Sequence, residues 1–313
     1  MIGTMTETTA ETTAVRGQEG TAATGRDLPD EATARLVAGG WVLPTAVPGL
    51  LCHTAKFEAV LARLQAVLTA ADPSASPGPV WYPPVAPRAD IDRAQYAEAF
   101  PHLLGSVHAL EPDGEPAGLD LSDDSARRPA DVVLAPAVCY GVYPLLADSV
   151  ITEPVFCDVA GTCYRHEATS ELGRYRSFRM REFVTVCGET AAPLWRDSWI
   201  TRCEKLFGEV GLTVSVEPAS DPFFGPGGRF MKTSQIQQNL KFEFVVPVRA
   251  DDAGTAIASA NCHKEHLGER FAIRFADRGW AHSSCMAFGL ERIMLALIHA
   301  HGDTLADWPD ALA

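Results

Sequence analysis

Basic residues are scarce in this chain: 26 Lys plus Arg stand against 40 Asp plus Glu, a formal charge of −14 over 313 residues. Phosphate backbones are gripped by a basic stripe, so this deficit excludes a broad nucleic-acid-binding surface. It leaves only local positive patches, such as the loop carrying Arg174, Arg176, Arg179 and Arg181. No apolar run is long enough to span a bilayer, and residues 1–30 contain no hydrophobic signal-peptide stretch. The expectation is a cytoplasmic protein with no membrane partner. None of the eight cysteines (Cys52, Cys139, Cys157, Cys163, Cys187, Cys203, Cys262 and Cys285) forms a CxxC pair, which argues against a disulfide framework and for reduced thiols. Aromatic residues are missing from residues 1–33, which are rich in small and polar types and are expected to form a flexible tail. No glycine-rich loop opens a helix and no regular βαβ alternation is visible, which disfavours a doubly wound parallel sheet.

Hydrophobic residues make up 47% of the chain, enough for a substantial core. Folding is expected to begin near Leu36 to Trp41. Phe57, Val60, Leu61, Leu64, Val67 and Leu68 recur at helical spacing over Lys56 to Asp72, before a breaker-rich loop from Pro73 and an extended entry at Trp81-Tyr82. Ala192 to Val210 and Met286 to His301 read as amphipathic helices closed by Gly211 and Gly302. Asp131 to Ala135, Thr213 to Glu217, Lys241 to Val248 and Arg270 to Phe275 read as strands. The fold class that follows is α+β, an antiparallel sheet flanked by helices.

The chemistry is concentrated in Tyr164-Arg165-His166-Glu167, in Arg179-Met180-Arg181-Glu182-Phe183, and in Gly289-Leu290-Glu291-Arg292. Joining a carboxylate to AMP brings two anions together, and fixed cations must neutralise the charge that develops. Guanidinium groups suit this task because they bind phosphate oxygens in a planar fork. Arg165 and Arg292 are the candidate catalytic residues, with Arg179 as a further nucleotide ligand. Glu167 offers an acceptor for the adenine amino group, and Phe183 offers a stacking face. Cys139, Glu182 and Cys285 each lie beside a piece of this set, and two thiolates with a carboxylate make a zinc ligand set that leaves one position open. Each cysteine alone has the alternative reading of buried packing.

These elements resemble motifs 2 and 3 of the class II aminoacyl-tRNA synthetases, and the nearest patterns are those of the seryl enzymes. The resemblance implies a class II synthetase-like catalytic domain over residues 34–313, with a motif-bearing core at 130–300 and no tRNA-binding domain. Ala137-Val138-Cys139-Tyr140, Met180-Arg181-Glu182-Phe183 and Ser283-Ser284-Cys285-Met286 look like the Cys, Glu, Cys zinc site of methanogen-type seryl enzymes and of their truncated relatives, the amino acid:carrier protein ligases. The truncated group is the better match, through Asp221 to Arg229, Leu240 to Pro247 and Ser259 to Gly268.

What the resemblance implies is ATP with Mg2+, a Zn2+ ion that binds the substrate amine, and a homodimer. The substrate is a small amino acid, glycine or alanine. It is activated as aminoacyl-AMP and passed to the phosphopantetheine thiol of a carrier protein rather than to tRNA; the alternatives are a reduced seryl-type synthetase that charges tRNA and a non-catalytic paralogue that senses an amino acid or nucleotide. Glu243, Asn261 and His263 are the candidate substrate residues, and Pro218 to Gln238 is a candidate part of the carrier surface. The chain departs from the seryl pattern at Thr255 to Ser259, which lacks the carboxylate that helps hold Mg-ATP, and at Cys187, where an acidic residue is usual.

Overall fold

The computed structural model describes residues 31–74, 76–110, 124–167, 171–276 and 279–313. Most of the expected flexible tail therefore lies outside the described residues. Its last three positions do not behave as tail, because a helix starts at Glu31 and runs to Ala38, burying Leu36.

A seven-stranded sheet organises the fold. In chain order its strands are β1 (Val80–Tyr82), β2 (Val155–Tyr164), β3 (Ser177–Cys187), β4 (Ser215–Pro218), β5 (Lys241–Val246), β6 (Thr255–Lys264) and β7 (His282–Gly289). Their spatial order is β4-β5-β6-β7-β3-β2-β1, antiparallel throughout except for the parallel pairing of β1 with β2. A separate three-stranded sheet of Val85–Pro87, Arg127–Leu134 and Ser106–Leu110 lies before β2 in the chain.

Strand alternation gives the sheet two faces with different jobs. Phe183, Phe244, Met286 and Phe288 point to one face, where they join Trp199 in the main core. The helix Glu31–Ala38 contributes Leu36 to that core, and three longer helices contribute more: α1 (Ala55–Ala71), α2 (Ala191–Glu209) and α4 (Leu290–His301). α1 is set by a Thr54 N-cap, whose hydroxyl accepts from the Phe57 amide, and by the apolar stripe Phe57, Val60, Leu61, Leu64 and Leu68. Arg181 fastens α1 to the sheet. Fully buried, it donates to both carboxylate oxygens of Asp158 (2.9 and 2.6 Å), to the Gln65 carbonyl (2.7 Å) and to Thr69 Oγ1 (2.9 Å). The neighbouring residues Glu182 and Val184 point to the other face.

Two expected elements are different in the structure. Met286 to His301 is not one helix: His282–Gly289 is the central strand β7, and α4 starts only at Leu290. Met286 and Phe288 are buried on one face while Cys285 and Ala287 are buried on the other. A strand buried on both faces reads as a continuous apolar run, which cannot be told from the start of a buried helix. Arg270 to Phe275 is not a strand either. His266–Arg270 is a short helix, Ala272 turns the chain at φ 53°, and only Arg274–Phe275 is extended, parallel to Val150–Ile151.

Candidate active site and metal centre

Sheet register brings the candidate residues together. Glu243 pairs with Ser259, Asn261 with Cys285, Cys285 with Val184 and Val159 with Glu182. Paired residues share a face, so Glu243 (β5), Asn261 and His263 (β6), Cys285 (β7) and Glu182 (β3) all lie on the face opposite the helical core. Cys139 reaches the same place from a 3-10 turn, Cys139–Gly141, that follows Arg127–Leu134.

The ligand atoms of Cys139, Glu182 and Cys285 all lie within 4.8 Å of one another, and all three side chains are buried. Ligands held about 2.0–2.3 Å from a tetrahedral zinc stand roughly 3.3–3.8 Å apart, so a small contraction would close this set around a metal. Glu182 is oriented by the backbone amides of Val138 and Cys139, which donate to Oε1 at 3.2 and 3.3 Å. Crowding three acids in one dry place disturbs their ionisation. Burial, with the Cys285 thiolate adding to it, pushes the Glu182 carboxyl up to about 8. Cys285 is held well below the usual thiol range by a hydrogen bond from Cys139, with His263 and Asn261 adding to the effect, while Cys139 is raised. Three ligands that cannot all ionise alone fit a divalent cation, whose charge permits them to do so.

Arg165 follows the end of β2, and Arg292 occupies the first turn of α4. Arg292 donates to the carbonyls of Gly173 (2.9 Å) and Ala256 (2.9 Å). Burial lowers its pKa, and the nearby positive charges of Arg165 and Arg174 lower it further. Three guanidinium groups therefore share one region, and Arg165 Nε is buried with no hydrogen-bond partner among the described residues. Cys163, also on the site face, is raised chiefly by burial, with the Glu182 carboxylate adding to the effect and Arg165 opposing it. Glu167 is exposed in the turn after Arg165. Glu243 pairs with Lys241 (3.1 Å), which also binds Asp221 (2.6 Å).

Two expected nucleotide ligands are corrected. Phe183 is 2% exposed and stacks on Trp199 at 4.5 Å and 17°, on the core face, so it has no surface to offer a base. Arg179 is held by Glu291, which accepts from its backbone amide (2.6 Å) and its Nε (2.7 Å), and by both oxygens of Glu58. The expected patch of loop arginines is also largely neutralised, with Arg181 buried against Asp158 and Arg174 paired with Glu171. Phe178 is an aromatic on the site face, half-buried, with the Arg165 guanidinium 5.5 Å from its ring centroid. Period-two counting back from Glu182 reaches Phe178 and skips Phe183, a signal present in the sequence.

The model of the tRNA synthetase class II core domain (G, H, P, S and T) matches residues 123–301. The chain is 39% identical, over 85% of its length and 82% of the relative's, to amino acid--[acyl-carrier-protein] ligase 2 of Bradyrhizobium diazoefficiens. Among solved structures it resembles the Methanopyrus kandleri seryl-tRNA synthetase in complex with Aquifex aeolicus tRNASec, at TM-score 0.76 and 21% identity over 93% of this chain and 61% of that one. It also resembles the Pyrococcus horikoshii seryl-tRNA synthetase complexed with ATP, at TM-score 0.67 and 15% identity over 87% of this chain and 59% of that one. At those identities the structural likeness establishes the fold alone. No helix among the described residues is long and apolar enough to cross a membrane.

Proposed function

The chain belongs to the amino acid--[acyl-carrier-protein] ligases, a family built on the class II synthetase core, and from that premise we propose that it activates glycine or alanine with ATP and passes the aminoacyl group to a carrier-protein thiol. The observation that carries the proposal is the convergence of the buried Cys139, Glu182 and Cys285 ligand atoms within 4.8 Å of one another. A zinc ion held by those three residues would bind an amine through its lone pair and so separate amino acids from plain carboxylates, a useful property when the side chain offers few handles.

The rest of the first step is positioning and charge. Arg165, with its unpartnered Nε, and Arg292, braced on two carbonyls, face the α-phosphate where the amino-acid carboxylate attacks it and pyrophosphate leaves. Phe178 takes the stacking role first given to Phe183, and Glu167 accepts from the adenine amino group. Mg2+ accompanies the triphosphate. Glu243 and Asn261 line the amino-acid end of the site. In the second step the carrier's phosphopantetheine thiol attacks the aminoacyl carbonyl and AMP leaves. A thiol is more acidic than a ribose hydroxyl, so little general-base help is needed.

The segment Pro218 to Gln238 contains a helix, α3 (Gly228–Gln237), that exposes Phe230, Met231 and Ile236. Exposed apolar side chains of this kind suit a protein partner, and we assign carrier docking to this segment. Val80 and Trp81 on edge strand β1 and Phe156 on β2 are exposed in the same way, which favours a homodimer through that edge. The acidic balance favours a carrier protein over tRNA as acceptor, and the unpaired thiols favour the cytoplasm.

The test is pyrophosphate exchange into ATP with each common amino acid, with and without a zinc chelator, followed by transfer to holo carrier protein or to tRNA. Exchange with glycine or alanine, lost on chelation and followed by carrier acylation, is the expected result. Acylation of tRNA alone would overturn the acceptor, and no exchange with any amino acid would overturn the activity.

A further inference from the structure

His263 was grouped with the substrate residues, yet its hydrogen bonds point elsewhere. Its Nε2 lies 3.7 Å from Cys285 Sγ, and its Nδ1 lies 3.1 Å from Ser283 Oγ and 3.3 Å from the Tyr143 hydroxyl. Tyr143 and Ser283 are themselves buried, and the tyrosine hydroxyl donates to Ser283 Oγ at 3.2 Å. The same sulfur accepts from Asn261 Nδ2 at 3.3 Å, and that amide also reaches Ser259 Oγ at 3.1 Å.

The direction of these bonds follows from what each atom can do. A cysteine that ligates a metal is a thiolate and has no proton to give, so the nitrogen facing it must carry one. In the neutral ring that places the imidazole proton on Nε2 and makes Nδ1 the acceptor. The structure supplies the matching donors in order, from the Tyr143 hydroxyl to Ser283 Oγ and from the Ser283 hydroxyl to His263 Nδ1. Tyr143 lies one turn beyond Cys139, Ser283 lies two residues before Cys285, and His263 comes from the adjacent strand. The elements that carry the two thiolates therefore also carry the groups that fix the ring.

We infer that His263 is a positioning residue for the metal-binding thiolate of Cys285, locked by Ser283 and Tyr143 so that Nε2–H is donated to the sulfur. Asn261 provides a second donor to the same atom. Together they fix the sulfur's remaining lone pairs and draw charge from it, and Cys285 is thereby held in place for the ion. This rests on the zinc reading given above.

The experiment uses the full chain loaded with zinc and titrated with a chromophoric zinc chelator. Outer partners of metal ligands are typically worth about 10- to 100-fold in affinity, so His263→Ala is expected to lose that much. His263→Gln, whose side-chain amide can bring an N–H near the place of Nε2–H, is expected to recover most of it. Ser283→Ala leaves the ring present but unlocked and is expected to fall between the two. Nitrogen-15 NMR of the imidazoles in the wild-type zinc form gives a readout that needs no variant to fold, and the neutral Nε2–H tautomer is expected for His263. A His263→Ala protein with affinity within twofold of wild type, or an Nδ1–H tautomer, overturns the role of His263 and leaves the zinc reading standing. A wild-type chain that takes up no zinc overturns both.

Discussion

Replacing Phe178 and Phe183 separately by alanine separates the nucleotide site from the core. Phe183 is buried on the helical face and stacked on Trp199 at 4.5 Å. Its loss opens a ring-sized cavity in a packed core and is expected to cost about 3–5 kcal/mol. At slopes of about 2–3 kcal/mol per molar, that lowers the urea midpoint by about 1–2.5 M. Folded protein should keep its ATP KM within a few-fold, since the ring has no surface on the site face. Phe178 is half-buried on that face beside Arg165. Losing a base-stacking ring costs about 1–3 kcal/mol of binding, so the ATP KM in pyrophosphate exchange should rise about 5- to 150-fold with a much smaller stability change. The two assays together form a crossed test. A raised ATP KM in Phe183→Ala with an unaffected Phe178→Ala would refute the assignment of the two sheet faces.

Cys285→Ala is expected to lose zinc and exchange activity together, and a variant that keeps metal at full stoichiometry would make this cysteine ordinary packing. Arg165→Ala should lower the exchange rate about 10²- to 10³-fold, the usual effect of removing one group that stabilises transition-state charge, while thermal melting stays near wild type; a loss below threefold would contradict its catalytic role. Glu182 predicts a pH effect in the metal-free chain. Its carboxyl is raised to about 8 from an ordinary 4.5, mainly by burial, so between those values the folded chain holds a proton that the unfolded chain has released. Its contribution to stability is full below about 4.5 and is lost as pH rises toward 8. Urea midpoints of metal-free wild type should therefore decline across that window relative to Glu182→Gln, and parallel curves would show that the carboxyl is not held neutral.

The candidate arginine group was legible as a group because its chemistry is local in sequence. Arg165 stands with Glu167 after one strand, Arg292 opens a helix, and the arginines suit a phosphate site wherever the fold places them. The metal set was harder to read, since Cys139, Glu182 and Cys285 are far apart in the chain and only the pairing of β7 with β3 and the turn after Arg127–Leu134 bring them together. Phe183 was misplaced because a strand turns adjacent residues to opposite faces, so its closeness to Glu182 in sequence meant distance in space. The arginine-rich loop misled for a related reason. Charge counts do not reveal partners, and Asp158, Glu58 and Glu291 neutralise Arg181 and Arg179 from remote segments. Likewise the end of β7, Met286 to Gly289, reads as helix because both of its faces are apolar. The roles of Tyr143 and Ser283 had no sequence signal, since a buried hydroxyl declares its partner only once the fold is known.

The convergence of two thiolates and a carboxylate on one zinc ion is tested most directly by X-ray absorption at the zinc edge of the purified, zinc-loaded chain. One zinc per chain with two sulfur neighbours at about 2.3 Å and oxygen or nitrogen neighbours at about 2.0–2.2 Å is the result the arrangement of Cys139, Glu182 and Cys285 predicts. A shell of oxygen and nitrogen alone, or of four sulfurs, would contradict it.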